Sequence, residues 1–362
     1  MKEYKIIGVM SGSSMDGVDL AHCTLKNDNG SWSFTINQGT TIPFNENWRV
    51  RLSQLRKQSA LNYVKTDVFF GYHIGEICND FIADNHLEVD FIASHGHTAF
   101  HTPEKGITAQ VGDGQSIAAI TNLPVVTDFR RMDVAKFGQG APLVTIGDEL
   151  LFSDYDYALN LGGFANISTL VDGNRVGYDI CANNILLNRV ARDLGHAYDE
   201  DGKIADSGSI NYELLKDLNN IDFYSKPYPK SLNRDWINKE LWHIVRDYRE
   251  TSLEDRMTTL VDHIATQIGQ NIEDLSNGNA NGKKVLVTGG GAFNKTLIDY
   301  IKSHTEAEIV IPEESLINYK ESLIFALLGA LRIENRENIK GASTGADENS
   351  IAGALHGDFS KI

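Results

Sequence analysis

Asp179 ends a β-type run and stands just before Cys181-Ala182-Asn183-Asn184, where a helix is expected to begin. A carboxylate at the C-terminal end of a strand, beside a helix start, is the usual place for a general base in an α/β site. A helix N-cap needs the same residue type at the same place, and the sequence leaves both readings open. Two glycine-rich turns about 150 residues apart add a second kind of chemistry. Ile6-Ile7-Gly8-Val9-Met10-Ser11-Gly12-Ser13-Ser14-Met15-Asp16-Gly17-Val18-Asp19 and Ala158-Leu159-Asn160-Leu161-Gly162-Gly163-Phe164-Ala165-Asn166-Ile167-Ser168 each carry a strand into a small-residue turn and out into another strand. Glycine allows close backbone approach, and successive N–H groups there can form a concave anion site. Ser11, Ser13 and Ser14 add hydroxyl donors, and Asp16 and Asp19 are of the type that serves Mg²⁺ beside phosphates. The alternative is a polar hairpin turn. The pattern is not a Walker A loop, because no Gly-Lys-Ser/Thr follows and the next element is a strand.

A third glycine turn, Gly289-Gly290-Gly291-Ala292-Phe293-Asn294, follows a strand and opens a helix. The last glycine of a dinucleotide fingerprint is replaced by Asn294. A ribose or adenine lying on a flattened turn fits better, with a tight strand–helix connection as the alternative. His95, His97 and His101 form a histidine-rich segment with no nearby Cys or carboxylate to complete a metal set. It reads as a polar substrate loop or a structural loop. Arg130, in Asp128-Phe129-Arg130-Arg131-Met132-Asp133, is placed either to fork onto an anionic group or to pair with Asp133.

These residues need a scaffold, and the pattern along the chain supplies one. The 362 residues are 41% hydrophobic and 23% charged, ordinary values for a globular protein of about two domains. Hairpin strands are expected over Tyr4–Met10 and Val18–Leu25, a strand over Ser31–Thr41, and a helix over Leu61–Asn85 with Val68, Tyr72, Gly75, Ile77 and Phe81 on one face. Then come strands Val89–Ser94, Gly106–Val111 and Val125–Asp128 around a helix Gly114–Thr121. The opening grammar recurs over 157–180, with Asp172-Gly173-Asn174 as a hairpin turn. Helices follow over Asn183–Leu194, Ser252–Leu275 and Leu323–Arg332, with a Ser-, Asn- and Pro-rich stretch from Asp199 to Trp236 that reads as loop with short helices. The apolar stripe Leu253, Met257, Leu260, Val261, Ile264, Ile268, Ile272 and Leu275 belongs in a core. The tail from Lys340 reads as a surface cover. Alternating strands and helices indicate an α/β fold. The net charge of −16 argues against nucleic acid or an anionic membrane as partner. Three scattered cysteines, no signal-type start and no long apolar stretch point to a cytoplasmic protein.

In this order, these blocks resemble the anhydro-N-acetylmuramic acid kinases of bacterial cell-wall recycling. Ser94-His95-Gly96-His97-Thr98, Gly112-Asp113-Gly114, Pro124–Arg130, Gly138-Gln139-Gly140-Ala141-Pro142-Leu143-Val144, Asn160–Ser168, Asp179 and Gly289–Asn294 extend the likeness over nearly the whole chain. The resemblance implies two ribonuclease-H-like, actin-like domains with an interdomain ATP cleft, one built from residues 1–130 with 340–362 and the other from 131–339. It implies that Gly12, Ser13, Ser14, Met15, Asp16, Gly17, Val18 and Asp19 hold ATP phosphates with Mg²⁺, the protein having no metal site of its own. Asn160, Gly162, Gly163 and Asn166 would face them, and Gly289, Gly290, Gly291 and Asn294 would hold the nucleoside. Asp179 aligns with the catalytic base, Glu321 with a sugar-binding carboxylate, and His95, His97 and Arg130 with the amino-sugar side. A homodimer stays open. His97 stands where Gln is usual, Lys136-Phe137 replaces small residues, and Ile180-Cys181-Ala182 replaces Thr-Gly-Pro. The rival readings are a conformational ATPase, which would need a partner-binding domain, and a catalytically silent sugar-binding protein on the same fold.

Overall fold

The computed structural model describes residues 1–12, 15–228, 230–360 and 362. Among them the chain forms β1 (Lys2–Ser11), β2 (Gly17–Asp28), β3 (Ser31–Pro43), β4 (Phe91–Thr102), β5 (Ile107–Val111), β6 (Val125–Thr127), β7 (Tyr157–Leu161), β8 (Phe164–Val171), β9 (Asn174–Ala182), β10 (Lys284–Thr288), β11 (Glu308–Val310) and β12 (Ala354–His356). The chain divides into two compact units, Met1–Phe152 with Tyr319–Ile362, and Ser153–Asn318.

Each unit holds one sheet, and the two sheets share a topology. In the first, β1, β2 and β3 make an antiparallel meander, β4 runs parallel to β1, and β6 parallel to β4. In the second, β7, β8 and β9 make the meander, β10 runs parallel to β7, and β11 parallel to β10. The strand orders are β3-β2-β1-β4-β6-β12 and β9-β8-β7-β10-β11. This repeated meander with parallel additions is the duplicated ribonuclease-H-like α/β arrangement expected from the sequence.

Local chemistry explains the elements. Asp172 and Gly173 both have positive φ, 50° and 79°, which makes the two-residue turn whose twist suits a hairpin. Ser252 caps the helix Leu253–Leu275 by accepting from Asp255 N at 3.0 Å. The Asp255 carboxylate does not complete a capping box: it accepts from Ser209 N instead. Six members of the expected stripe on this helix, Met257, Leu260, Val261, Ile264, Ile268 and Ile272, are fully buried. Leu253 and Leu275 pack at the edge of that core. In the helix Ala60–Asn85 the buried stripe runs through Phe70, Ile74, Gly75, Ile77, Cys78 and Phe81, while Tyr72 is exposed. The stripe is therefore rotated from the one the spacing suggested.

Five further expectations differ from the structure. β4 does not end at Ser94 but continues through the histidine-rich segment to Thr102. Asp179 does not end its strand, because β9 continues to Ala182. The tail carries β12, paired antiparallel with β6, so it completes a sheet rather than covering a surface. The helix containing Glu321 starts earlier, at Glu314, and is interrupted at Tyr319, where the two units meet along the chain. The unit borders fall after 152 and 318, where the sequence reading had placed them after 130 and 339. The reason is packing. The helix Thr145–Leu151 lies against β3, and Gly329 on the later helix meets Ala93 and Phe91 of β4. The three cysteines are buried and free. No helix among the described residues is long and apolar enough to cross a membrane.

The core assignment is tested by Ile264→Ala, which leaves a cavity between the helix Leu253–Leu275 and its sheet and should cost ~2–5 kcal/mol. Leu253→Ala, at the core's edge, should cost clearly less. Denaturant unfolding of both variants gives the comparison, and equal losses would place the core elsewhere.

Candidate active site

The second unit aligns four polar residues across one sheet. Thr288 of β10 is the register partner of Asn160 of β7, Asn160 of Asn166 of β8, and Asn166 of Asp179 of β9. Directly paired residues project to the same face, so the row presents two amides, a hydroxyl and a carboxylate together. Asp179 joins it only because β9 carries an extra residue. Ala165 pairs with Cys181, but Asn166 pairs with Asp179, which leaves Ile180 as a bulge. The Asp179 carboxylate accepts from Leu232 N at 2.8 Å. Its backbone N donates to Lys230 O at 3.0 Å. Burial raises its pKa, and the Leu232 hydrogen bond opposes that rise. Helix capping is left to others, since the next helix starts at Asn184.

Beside this row lie the two glycine turns of the unit. Gly289 has φ +82°, and a Cβ there would come 2.5 Å from Asn160 Oδ1. Only glycine lets this turn lie against the row. The β7–β8 turn is tied to the helix that follows β9: Asn183 N and Ile185 N donate to Gly163 O, and Asn184 N and Asn183 Nδ2 donate to Gly162 O. Nothing lies within 4 Å of where a Gly163 Cβ would stand. Asn183 Oδ1 and Thr288 Oγ1 are buried with no hydrogen-bond partner among the described residues. Buried polar atoms left unmatched are costly. A hydroxyl- and amide-bearing ligand on this turn would satisfy them, so these residues fit a nucleoside. Asn183, Asn184 and Thr288 were not among the expected site residues. The Asn-Asn doublet after Asp179 was visible in the sequence, but its orphaned acceptor was not. Asn294 is used differently from the expectation: its Oδ1 accepts from Leu297 N at 2.9 Å and caps the helix Lys295–Ser303.

In the first unit, Ser13 and Ser14 lie outside the described residues. Gly12 and Met15 flank them, both partly exposed, and Met15 has φ +65°. Asp16 is exposed, and Asp16 O accepts from Phe44 N at 3.1 Å. Gly17 answers a packing demand, since a Cβ there would lie 2.3 Å from Ile42 O. Val18 points into the core and is fully buried, which leaves only its backbone for a ligand. Asp19 accepts from Thr41 Oγ1 at 2.6 Å, and burial raises its pKa with Asp16 adding to the rise. Among the described residues no three His, Cys, Asp or Glu side chains stand together as a cation cage. Asp16 and Asp19 are carboxylates of the kind that hold Mg²⁺ through water beside phosphate oxygens.

A second cluster in this unit forms around Arg130. Between Val9–Ser94 and Ser11–His97 the β1–β4 register gains one residue on β4, and Gly96 there has φ +70°. This bulge aims His95 at Arg130, whose Nε–H donates to His95 Nε2 at 2.7 Å. The imidazole proton therefore sits on Nδ1 and is donated to Gly96 O at 2.9 Å. Burial and the adjacent guanidinium hold His95 neutral, with a pKa well below the usual range. Arg130 also donates to Gly140 O at 2.6 Å, while Gly140 N donates to Asp133 Oδ2 at 2.6 Å. Asp133 is fully buried and also accepts from Thr344 Oγ1 at 2.6 Å. Arg130 thus makes no direct pair with Asp133. It is held by a neutral histidine and a carbonyl, which leaves its charge uncompensated by either. Burial raises the pKa of Glu321, and Arg130 pulls it the other way. Next to it, Lys320 makes a buried ion pair with Asp148 at 2.7 Å. His97 is drawn elsewhere: its Nδ1 lies 3.0 Å from Ser11 Oγ, and its ring meets Phe44 and Phe70 edge-on. Burial first, then Arg56, takes its pKa down to about 4. It supports the end of β1, where the first glycine turn begins. His101 pairs with Thr108 Oγ1 at 3.1 Å.

Comparison with known proteins gives the family. The family model described as anhydro-N-acetylmuramic acid kinase matches residues 4–358. An anhydro-N-acetylmuramic acid kinase of Clostridioides difficile is 30% identical over 96% of this chain and 97% of its own length. One from Aliivibrio fischeri is 32% identical over 97% and 99%. One from Acinetobacter baylyi is 36% identical over 82% of each chain. Full-length matches at these identities, together with the duplicated sheet, decide the matter: the chain belongs to the anhydro-N-acetylmuramic acid kinase family.

Proposed function

We infer that this chain is an ATP-dependent kinase that opens 1,6-anhydro-N-acetylmuramic acid with water and phosphorylates O6, yielding N-acetylmuramic acid 6-phosphate in peptidoglycan recycling. The family match over residues 4–358 supports the reaction. The observation that carries it to particular atoms is the row Thr288–Asn160–Asn166–Asp179, with Asp179 raised by burial at its end.

Asp179 is the base. It takes a proton from water as the water oxygen bonds to the anomeric carbon, and the C1–O6 bond breaks. O6 leaves with the bond's electron pair and attacks the γ-phosphorus of ATP, from which ADP departs. The proton on Asp179 returns to solvent, so atoms and charge balance. The Gly289–Gly291 turn, Asn160 and Asn183 bind the nucleoside part. The amides of Gly12 and Gly163 donate to phosphate oxygens, a task in which positioning and electrostatics dominate. Mg²⁺, when bound through Asp16 or Asp19, neutralises phosphate charge. Arg130, oriented by His95 and Gly140, and Glu321 bind polar groups of the amino sugar. A carboxylate-bearing sugar suits an arginine with no carboxylate hydrogen-bonded to it.

The product decides the chemistry. In ¹⁸O-water the C1 hydroxyl should carry the label and O6 the phosphate. A product that has gained phosphate without water would overturn the coupled reaction. Asp179→Asn should keep the fold and lower kcat by ~10²–10⁴. Near-normal turnover would remove Asp179 from the role. In the unmodified protein the acid limb of kcat should lie above the ordinary carboxylate range. Burial raises this group, the base works only when ionised, and activity is lost as pH falls through the raised pKa. Gly289→Ala should raise the KM for ATP by roughly tenfold or more, equivalent to ~1.4 kcal/mol, with the KM for sugar unchanged. Calorimetry showing unaltered nucleotide affinity in a folded variant would move the nucleoside site elsewhere.

A further inference from the structure

The base is held by a segment that the sequence reads as loop with short helices. Between Ile221 and Asn233 the chain runs past β9, and its backbone meets Asp179 twice, through Lys230 O and Leu232 N. Three anchors hold that segment. Tyr228 stacks on Tyr178 of β9, with centroids 5.2 Å apart and planes 12° apart. The Tyr224 hydroxyl lies 3.0 Å from His263 Nε2, and His263 Nδ1 lies 2.6 Å from Asn219 Oδ1, inside the core of the unit. The third anchor is Lys230. Its ammonium donates to Tyr224 O at 3.2 Å and Phe223 O at 3.4 Å and sits 5.0 Å from the centre of the Phe223 ring.

Lys230 is an unusual choice for packing alone. Burial lowers its pKa, and among the described residues no carboxylate lies within salt-bridge distance of its ammonium. A half-buried cation that donates to two carbonyls stabilises a particular backbone shape, since an apolar stem would fill the space without any desolvation cost. The shape it closes, from Phe223 round to Lys230, is the one that delivers Leu232 N–H to the carboxylate.

We propose that Lys230 is a positioning residue for Asp179: by holding the Phe223 and Tyr224 carbonyls it keeps Leu232, two residues on, with its amide on the carboxylate. The proposal rests on Asp179 being the base. The other titratable groups around the carboxylate do not compete for this role. Cys181, on the same strand, has a thiol pushed up by burial. Tyr224 is pushed well up by burial. His263, on the helix Leu253–Leu275, is pushed down to about 3 by burial and stays neutral. Asp274, on that helix, acts on Lys230 and Tyr178. Tyr228 faces Tyr178. Among the described residues, Leu232 N is the donor that reaches the Asp179 carboxylate.

The test is Lys230→Met in the full chain, which keeps the stem and removes the donor. A hydrogen bond to a charged group is worth enough that kcat should fall roughly tenfold or more. KM for ATP and for the sugar should hold within about twofold, because neither ligand contacts Lys230 in the proposal. The acid limb of kcat should move to higher pH, since losing the Leu232 bond removes the interaction that lowers the Asp179 pKa. Lys230→Arg, whose guanidinium can still donate to both carbonyls, should recover most of the rate and restore the limb. If Lys230→Met does not fold, Lys230→Gln carries the same three readouts. A fall in kcat with an unmoved limb would make Lys230 merely structural and overturn the proposal, as would an unchanged kcat. If Asp179→Asn itself keeps turnover, the reading beneath fails. If Asp179→Asn is dead and Lys230→Met is normal, the proposal alone fails.

Discussion

Two one-residue bulges set where the chemistry of this chain can happen. A strand alternates faces with period two, so one extra residue moves every later side chain to the other face. On β4 the extra residue falls at His95-Gly96 and turns His95 toward Arg130. On β9 it is Ile180, and it lets Asp179 pair with Asn166 while Cys181 pairs with Ala165. Without the second bulge, the register that seats Cys181 would leave Ile180, not Asp179, opposite Asn166. The first bulge lies on the parallel strand beside the end of β1, and the second lies near the end of the last meander strand of the other sheet.

The electrostatics follow from where charge is left unpaired. The chain is strongly acidic overall, with a net charge of −16, yet its reaction requires anionic ligands. A local cation resolves this only if its neighbours do not neutralise it. Arg130 meets that condition because its two partners are a neutral imidazole and a carbonyl. The nearby buried carboxylate, Asp133, is occupied by Gly140 N and the Thr344 hydroxyl. Asp133 therefore shapes the loop that holds Arg130 without cancelling its charge. The buried Lys320–Asp148 pair fixes the start of the helix segment that carries Glu321 in a similar way.

How much of this the sequence revealed depended on range. The Gly289 turn, the Asp172-Gly173 hairpin and the stripe on the helix Leu253–Leu275 are local signals, written in phi preference or in helical spacing, and each appears where expected. Asp179 was recognisable as a carboxylate beside a helix start. The bulge that aims it was not, because a register shift exists only relative to a partner strand. The continuation of β4 through three histidines was missed because polar residues in a strand read as loop. The hydrogen-bond partner of His97, Ser11, is 86 positions away, and no local pattern marks that pairing. Thr344 reaches Asp133 across 211 positions, a pairing that no local pattern can announce. The strand at Ala354–His356 was hidden in a Gly- and Ala-rich tail, since three residues give no periodicity to count.

Asp179, the base in the proposed reaction, is held in a balance between two opposed effects. Burial favours the protonated form, which is inactive as a base, and the Leu232 N–H favours the ionised form. Desolvation alone would leave a carboxylate basic but largely protonated. Full hydrogen bonding would keep it ionised but too weak to take a proton from water. A single backbone amide lies between these limits, and a backbone donor has the advantage that it cannot rotate away as a side chain can. Its cost is that the whole segment carrying it must be held still. The Tyr228–Tyr178 stack, the Tyr224–His263 contact and the Lys230 ammonium serve that need from three directions. In the proposed reaction Lys230 and Leu232, which meet Asp179 through their backbone, matter to the base as much as the strand that bears it.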